Sequence, residues 1–375
     1  MTGGEPRILI IQPWFTAYGH PAQSVINTAR ILGIDDRITY LISHESRNNT
    51  FIEAAHQLRN LSHIETFRVP SSSIRLGTLL SLWMLLRLAT VARFRCILFL
   101  DAHLVLLAFF WRSVAWLVKP QRLCVIYLMG PEKISSHPVV KAAVSAFLSR
   151  PDTVLFLRTE ELAAAWRSAF PAVAEAKIDV LPSLELPESA RILDQPAPTN
   201  ELKFGVLGQV RPGKGIEWLV PLFDRNPRAG TLTVAGAFNH RQHAQDMAFL
   251  HAHPNFINHF LSEDELVDLA RSQHYLLMLY DNWDARMEAA TLYLAAKVNR
   301  PVIARGAGWC GRMLKTYNCG IICENGDETE DFFLALPKPG EDNYAALLSG
   351  LAKFRATHSG AAWRQSFIDK VFGND

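Results

Sequence analysis

Apolar residues in this chain fall into two patterns, short unbroken runs and longer stretches at helical spacing, and the two alternate along its length. Arg7-Ile-Leu-Ile-Ile-Gln-Pro13, Ile38–Ser43, Ile64–Val69, the Arg95–His103 run whose apolar part ends at Asp101, Leu123–Leu128, Thr153–Leu157 and Ile178–Leu181 are of the first kind. They read as strands buried on both faces, since a strand with one wet face would alternate polar and apolar positions. Val25–Leu32, Phe51–Leu61, Ala102–Trp116 and Glu160–Ala169 are of the second kind and read as helices. Strand alternating with helix predicts an α/β fold built on a doubly wound parallel sheet.

Pro182 to Asn200 interrupts the alternation with four prolines and no regular period, the make-up of a linker. Beyond it come the strands Phe204–Leu207, Leu232–Gly236, Phe256–Phe260, Tyr275–Tyr280, Arg300–Ala304 and Gly320–Cys323. Ser262-Glu-Asp-Glu265 is a capping box ahead of the helix Leu266–Ala270, and Arg286–Lys297, Tyr344–Ala356 and Ala361–Val371 are further helices. A length of 375 residues suits two domains better than one core. The expected division is a first domain over 1–183, a linker over 184–200, a second domain over 201–340 and C-terminal helices over 341–375.

Composition narrows the class without naming an activity. Hydrophobic content of 49% with 20% charged residues describes an ordered globular protein, and a net charge of +2 makes no case for a nucleic-acid partner. Five cysteines, odd in number and without zinc-like pairing, point to a reduced compartment rather than a disulfide framework. The opening residues lack signal-peptide architecture, so a cytoplasmic setting is expected.

The densest chemical signal is Lys203-Phe-Gly-Val-Leu-Gly-Gln-Val-Arg-Pro-Gly-Lys-Gly-Ile-Glu-Trp218, a short apolar strand running through a glycine-rich basic turn into a helix start. Gly208, Gly213 and Gly215 permit tight backbone turns. Helix-start N–H groups with Arg211 and Lys214 beside them suit a diphosphate. Gly215 follows Lys214 where a magnesium-holding Ser or Thr would complete an NTPase P-loop, and no Gly-x-Gly-x-x-Gly is present. A solvated strand-to-helix loop would have the same spacing.

The run GQVRPGKGIEWLV resembles the nucleotide-sugar signature of two-domain GT-B glycosyltransferases, in which Gly-Arg-x-x-x-x-Lys-Gly follows the first strand of the C-terminal half. Gly208, Lys214 and Gly215 match, while Gln209 replaces the usual Arg, a variant also familiar among bacterial exopolysaccharide (mannosyl-type) enzymes, and Arg211 stands ready to compensate. The resemblance implies two Rossmann-like doubly wound domains facing a central cleft, with the C-terminal helices crossing back onto the first domain. It also implies hexosyl transfer from a UDP- or GDP-sugar to a saccharide or lipid-linked acceptor in surface-polysaccharide assembly, with no tightly held metal. The helix before Arg300-Pro-Val-Ile-Ala304 corresponds to the family unit that meets the donor's ribose and diphosphate, which adds Arg286, Glu288 and Thr291, with Tyr280 at the preceding strand end. Retaining members carry two glutamates eight apart there. Here Arg286 and Leu294 occupy those positions and Glu288 is a single displaced acid, so retention does not carry over. A binding or scaffold subunit that keeps the fold without turnover is the alternative, and a sugar-nucleotide epimerase is a third.

In the first half, strand ends again face the ligand side. Asp101 and His103 close one strand, and the Gly- and Pro-rich loop Trp14–Ser24 holds Gly19, His20 and Ser24. Asp101, with His20 next, is the candidate base for an inverting transfer, and Glu132 and His137 are secondary. Asp101 as the cap of the following helix fits the same spacing. From Leu76 to Arg122 aromatic residues interleave with arginines, and the uncharged runs are too short to span a bilayer. That pattern fits peripheral contact with the inner face of the cytoplasmic membrane, and equally fits core helices flanking a sheet.

Overall fold

The computed structural model describes residues 7–13, 25, 27–28, 31–32, 38–45, 64–69, 73–90, 93–134, 136–183, 186, 196, 199, 201–238, 241–281, 284–324, 326 and 329–372. The chain divides into two compact units, one of Met1–Pro187 with Gly360–Asp375 and the other of Glu188–Ser359. His20 and the expected helix Phe51–Leu61 lie outside the described residues.

In the first unit β1 (Arg7–Gln12), β2 (Ile38–Glu45), β3 (Ile64–Val69), β4 (Phe94–Leu100), β5 (Arg122–Ile126), β6 (Thr153–Leu157) and β7 (Ile178–Val180) form one parallel sheet. Their order is β3-β2-β1-β4-β5-β6-β7. Helix α1 (Ile74–Leu88) joins β3 to β4, α2 (Leu104–Val118) joins β4 to β5, α3 (Pro138–Leu148) joins β5 to β6, and α4 (Glu160–Ala169) follows β6. The order reverses between β1 and β4, the kind of switch point at which sheets of this type place ligands.

The second unit repeats the plan with β8 (Lys203–Leu207), β9 (Thr231–Ala235), β10 (Phe256–Ile257), β11 (Tyr275–Met278), β12 (Val302–Ala304) and β13 (Gly320–Ile322). These are again all parallel, in the order β10-β9-β8-β11-β12-β13, so its switch point lies between β8 and β11. Its helices are α5 (Ile216–Arg225), α6 (Arg241–Asp246), α7 (Glu263–Arg271), α8 (Ala290–Val298), α9 (Gly308–Tyr317), α10 (Glu330–Leu334) and α11 (Asp342–Thr357). The expected capping box is present at α7: the Ser262 hydroxyl accepts from the Glu265 N–H at 3.3 Å, and the Ser262 N–H donates back to the Glu265 carboxylate at 2.8 Å. The expected strand Phe256–Phe260 shortens to the two residues of β10, which sits at the sheet edge with one partner.

The last helix, α12 (Gly360–Phe372), returns to the first unit. Trp363, Phe367 and Val371 complete an apolar layer with Ile8, Ile10, Leu98 and Phe156 on one face of the first sheet. Polar contacts fix the helix there: Trp363 Nε1 donates to the Pro182 carbonyl at 3.0 Å, Arg122 Nη1 to the Val371 carbonyl at 2.8 Å, and Lys370 Nζ to Asp179 at 2.9 Å. The preceding helix behaves differently from the expectation that both cross back. Tyr344 of α11 donates to the His274 carbonyl at 2.8 Å, Arg355 donates to the Ala296 carbonyl at 2.8 Å, and α11 stays with the second unit.

Phe367 is fully buried in that layer. Phe367→Ala should lower the unfolding free energy of the first unit by about 3–5 kcal/mol, the cost of a large-to-small change in a packed core. Denaturant titration followed by circular dichroism measures it. A change within experimental error would mean that α12 contributes nothing to this core.

Candidate functional site

Strand β8 ends at Leu207, and the turn that follows is shaped by residues with positive φ: Gly208 at 90°, Gly213 at 80° and Gly215 at 77°. Gly215 is the N-cap of α5, and a side chain there would collide with the Leu279 carbonyl just beyond β11. The turn can therefore rest on the end of the neighbouring strand only because position 215 has no Cβ. The Asp281 N–H donates to the Gly213 carbonyl at 3.0 Å across the same junction, and the Gly213 N–H donates to the Glu217 carboxylate at 2.7 Å.

Lys214 is held between these glycines with 8% of its surface exposed. Its ammonium has no ion pair or hydrogen bond among the described residues, and it lies 5.8 Å from the centroid of the Tyr280 ring. Burial, and then the nearby Arg211 charge, pull its pKa down to about 8. A desolvated cation without a counter-ion disfavours its own charge, and an anion brought to it would reverse that penalty. Gln209 is exposed on the turn and Arg211 is half-buried.

A pocket of about 330 Å³ opens at the carboxyl ends of β11, β12 and β13, lined by Met278, Tyr280, Asp281, Ala285, Arg305, Ala307, Cys310 and Glu324. Tyr280 links it to the lysine, and its hydroxyl shares a hydrogen bond of 3.3 Å with Thr291 in the first turn of α8. Burial holds this phenol above its usual range. Arg305 was not singled out by the sequence. Its Nη1 donates to the Cys323 and Glu324 carbonyls at 3.2 and 3.0 Å, its Nη2 reaches Asp281 at 3.4 Å, and its guanidinium lies 5.6 Å from the centroid of the Trp218 ring. The signal was its place directly after a buried strand, where side chains of such sheets face ligands. Asp281 is the ion-pair partner of this arginine.

Arg286 and Glu288 lie outside that lining and ahead of the helix predicted to carry them. Asp284 grips Arg286 at 2.8 and 2.7 Å, the Met287 N–H closes a turn onto the Asp284 carbonyl at 2.8 Å, and Ala289 is extended, so α8 begins only at Ala290. The helical spacing of Arg286, Glu288 and Thr291 thus does not put them on one helix face. Glu288 accepts from the Tyr293 hydroxyl at 3.0 Å.

In the first unit Asp101 follows β4, on one side of the switch point, in the left-handed region at φ 58°. Its N–H donates to the Ile126 carbonyl at 3.2 Å. It does not cap the next helix: α2 starts at Leu104 and is capped by His103, whose Nδ1 accepts from the Leu106 N–H at 3.4 Å. Burial lowers the pKa of His103, with the Arg75 charge acting the same way. Burial and then the charges of Asp101 and Glu132 push the phenol of Tyr127, just beyond β5, up to about 12.

No family model and no curated protein matches this sequence. Solved structures match it over its whole length. HepE of Anabaena, in complex with UDP and glucose, is 13% identical with a TM-score of 0.70, over 99% of this chain and 100% of that one. A glycosyltransferase from Rickettsia africae is 11% identical with a TM-score of 0.69, over 99% and 100%. The N-terminal domain of Candida albicans trehalose-6-phosphate phosphatase is 10% identical with a TM-score of 0.68, over 99% and 97%. The chain has the GT-B fold. In GT-B terms the Gly208–Gly215 turn follows the first strand of the C-terminal unit, where the sequence resemblance put it.

The lowered pKa of Lys214 has opposite consequences for folding and for binding. In the free protein the lysine releases its proton more readily than the unfolded chain does, so its contribution to stability rises as pH climbs from about 8 to 10.5. An anion at the site needs the protonated form. If a nucleoside diphosphate binds here, as the sequence resemblance implies, its affinity measured by calorimetry should fall as pH rises through about 8, with proton uptake on binding in buffers near that value. Affinity that stays flat until an ordinary lysine titrates, roughly two units higher, would show that Lys214 does not meet the nucleotide.

Proposed function

We propose that this GT-B chain is a hexosyltransferase that takes a sugar from a nucleoside diphosphate donor and delivers it to a saccharide, free or carried on a lipid, in surface-polysaccharide assembly in the cytoplasm. The observation that carries the reading is Lys214, a buried cation without an ionic partner among the described residues, at a helix start and beside Tyr280, which lines the pocket at the carboxyl ends of β11, β12 and β13. Breaking the bond between the sugar's anomeric carbon and the diphosphate leaves negative charge on the departing nucleotide. A preorganised lysine and the N–H groups at the head of α5 stabilise that charge without reorganising. Arg211 supplies a second cation in the turn where Gln209 supplies none. The ligands of HepE, UDP with glucose and UDP-glucose, make a UDP-hexose the first donor to test. The reading assigns no tightly held metal.

The acceptor hydroxyl needs a base if transfer inverts. Its oxygen then attacks the anomeric carbon as the bond to the phosphate breaks, the electron pair leaves with the nucleotide, and the proton passes to a side chain. Asp101 is our candidate, with His20 next. Its left-handed backbone places a carboxylate beyond a central strand at modest conformational cost.

A donor-binding subunit without turnover is the second reading, favoured by Gln209 and by the engagement of Glu288 with Tyr293. Turnover on a panel of UDP- and GDP-sugars separates the two. Lys214→Ala should weaken donor binding about tenfold or more, the scale of a lost charge-assisted hydrogen bond. Unchanged affinity would remove the turn from the donor site. Asp101→Asn should abolish transfer by an inverting enzyme while leaving donor affinity and melting temperature intact. Full activity in that variant would exclude Asp101 as the base.

A further inference from the structure

The outer surface of α1 and α2 is built against the usual rule for a helix on a sheet. Helix α2 already has an inner apolar stripe: Trp111 is fully buried and meets Phe99 of β4 edge-on, with Leu107 and Val114 beside it. A surface helix with one stripe satisfied turns a polar face to water. Here the opposite stripe is apolar too. Phe109, Phe110, Trp116 and Leu117 are exposed, Trp116 by 73%, and Trp83 of the adjoining α1 by 59%. The His103 N–H, donating to the Thr78 hydroxyl at 3.0 Å, ties the start of α2 to α1.

The helices that form this surface carry charge of one sign. Helices α1, α2 and α3 contain no Asp or Glu, and between Glu65 and Glu132 the only acid is Asp101, against eight arginines and lysines. Because the whole chain carries only +2, the remainder of the sequence is net acidic. Arg75, Arg87, Arg112, Lys119 and Lys141 are exposed on or beside these helices. Neither helix exceeds 15 residues, and no described helix is long and apolar enough to cross a bilayer.

We propose that this face docks on an anionic lipid surface, with the aromatic residues entering the headgroup region and the basic residues meeting lipid phosphates. Exposed Trp and Phe among Arg and Lys, on helices that hold no acid, is the chemistry that an anionic interface recognises, whereas an opposing protein surface would ordinarily be met by charges of both signs. The proposal does not depend on the donor site, which lies in the other unit.

The full chain is mixed with phosphatidylcholine vesicles, with and without phosphatidylglycerol, and floated. It should rise with the anionic vesicles only, and less as salt increases. Arg112→Glu should weaken partitioning about fivefold or more, and Phe110→Ser with Trp116→Ser about tenfold, with melting temperature and UDP affinity as in the parent. The proposal fails if the parent ignores anionic vesicles at every ionic strength, or if both variants bind as the parent does. It also fails if the parent is a dimer that Trp116→Ser dissolves, which would make the face a contact between copies. UDP binding read on the same samples keeps failure here separate from failure of the donor site.

Discussion

A parallel sheet buries both faces and must find helices for each, and that requirement organises the whole molecule. In the second unit the chain satisfies it with helices from its own stretch. In the first it does so only with help from the far end, where Trp363, Phe367 and Val371 of α12 complete the cover. The strand orders that result place both switch points beside central strands, at β1 and β4 and again at β8 and β11. Lys214, Tyr280, Arg305 and Asp101 each belong to a loop at the carboxyl ends of the strands of those sheets.

Within the second unit the decisive contact is steric. The turn after β8 rests on the end of β11 because Gly215 lets α5 begin against the Leu279 carbonyl. That approach is what buries Lys214 beside Tyr280, and burial is what lowers its pKa. Local crowding, loss of water and a proton affinity close to neutral are thus three faces of one packing event.

Much of this was legible in the residues. Continuous apolar runs mark nearly every strand, and Ser262 with Glu265 marked a helix start, since those signals depend on neighbours in sequence. What escaped depends on neighbours in space. Arg286 and Glu288 have helical spacing, yet the Asp284 fork holds that segment out of α8. Asp101 has the chemistry of a cap, but the chain turns left-handed there and gives the cap to His103. Arg305 belongs to no motif, and only the sheet brings it to Asp281 and Trp218. The isolation of Lys214, which decides what the turn can do, is invisible in a string that shows only a lysine between glycines.

The return of α12 also bears on how the protein is made. A ribosome delivers the chain from its N-terminus, and domains commonly fold as they emerge. Here the first unit has all seven strands once residue 180 is out, but one face of its sheet stays partly uncovered until residues 360–372 follow. The second unit, whose segment ends at residue 359, can close first. For the length of that wait part of an apolar sheet face lacks its cover, so the unit begun earliest is the one finished last.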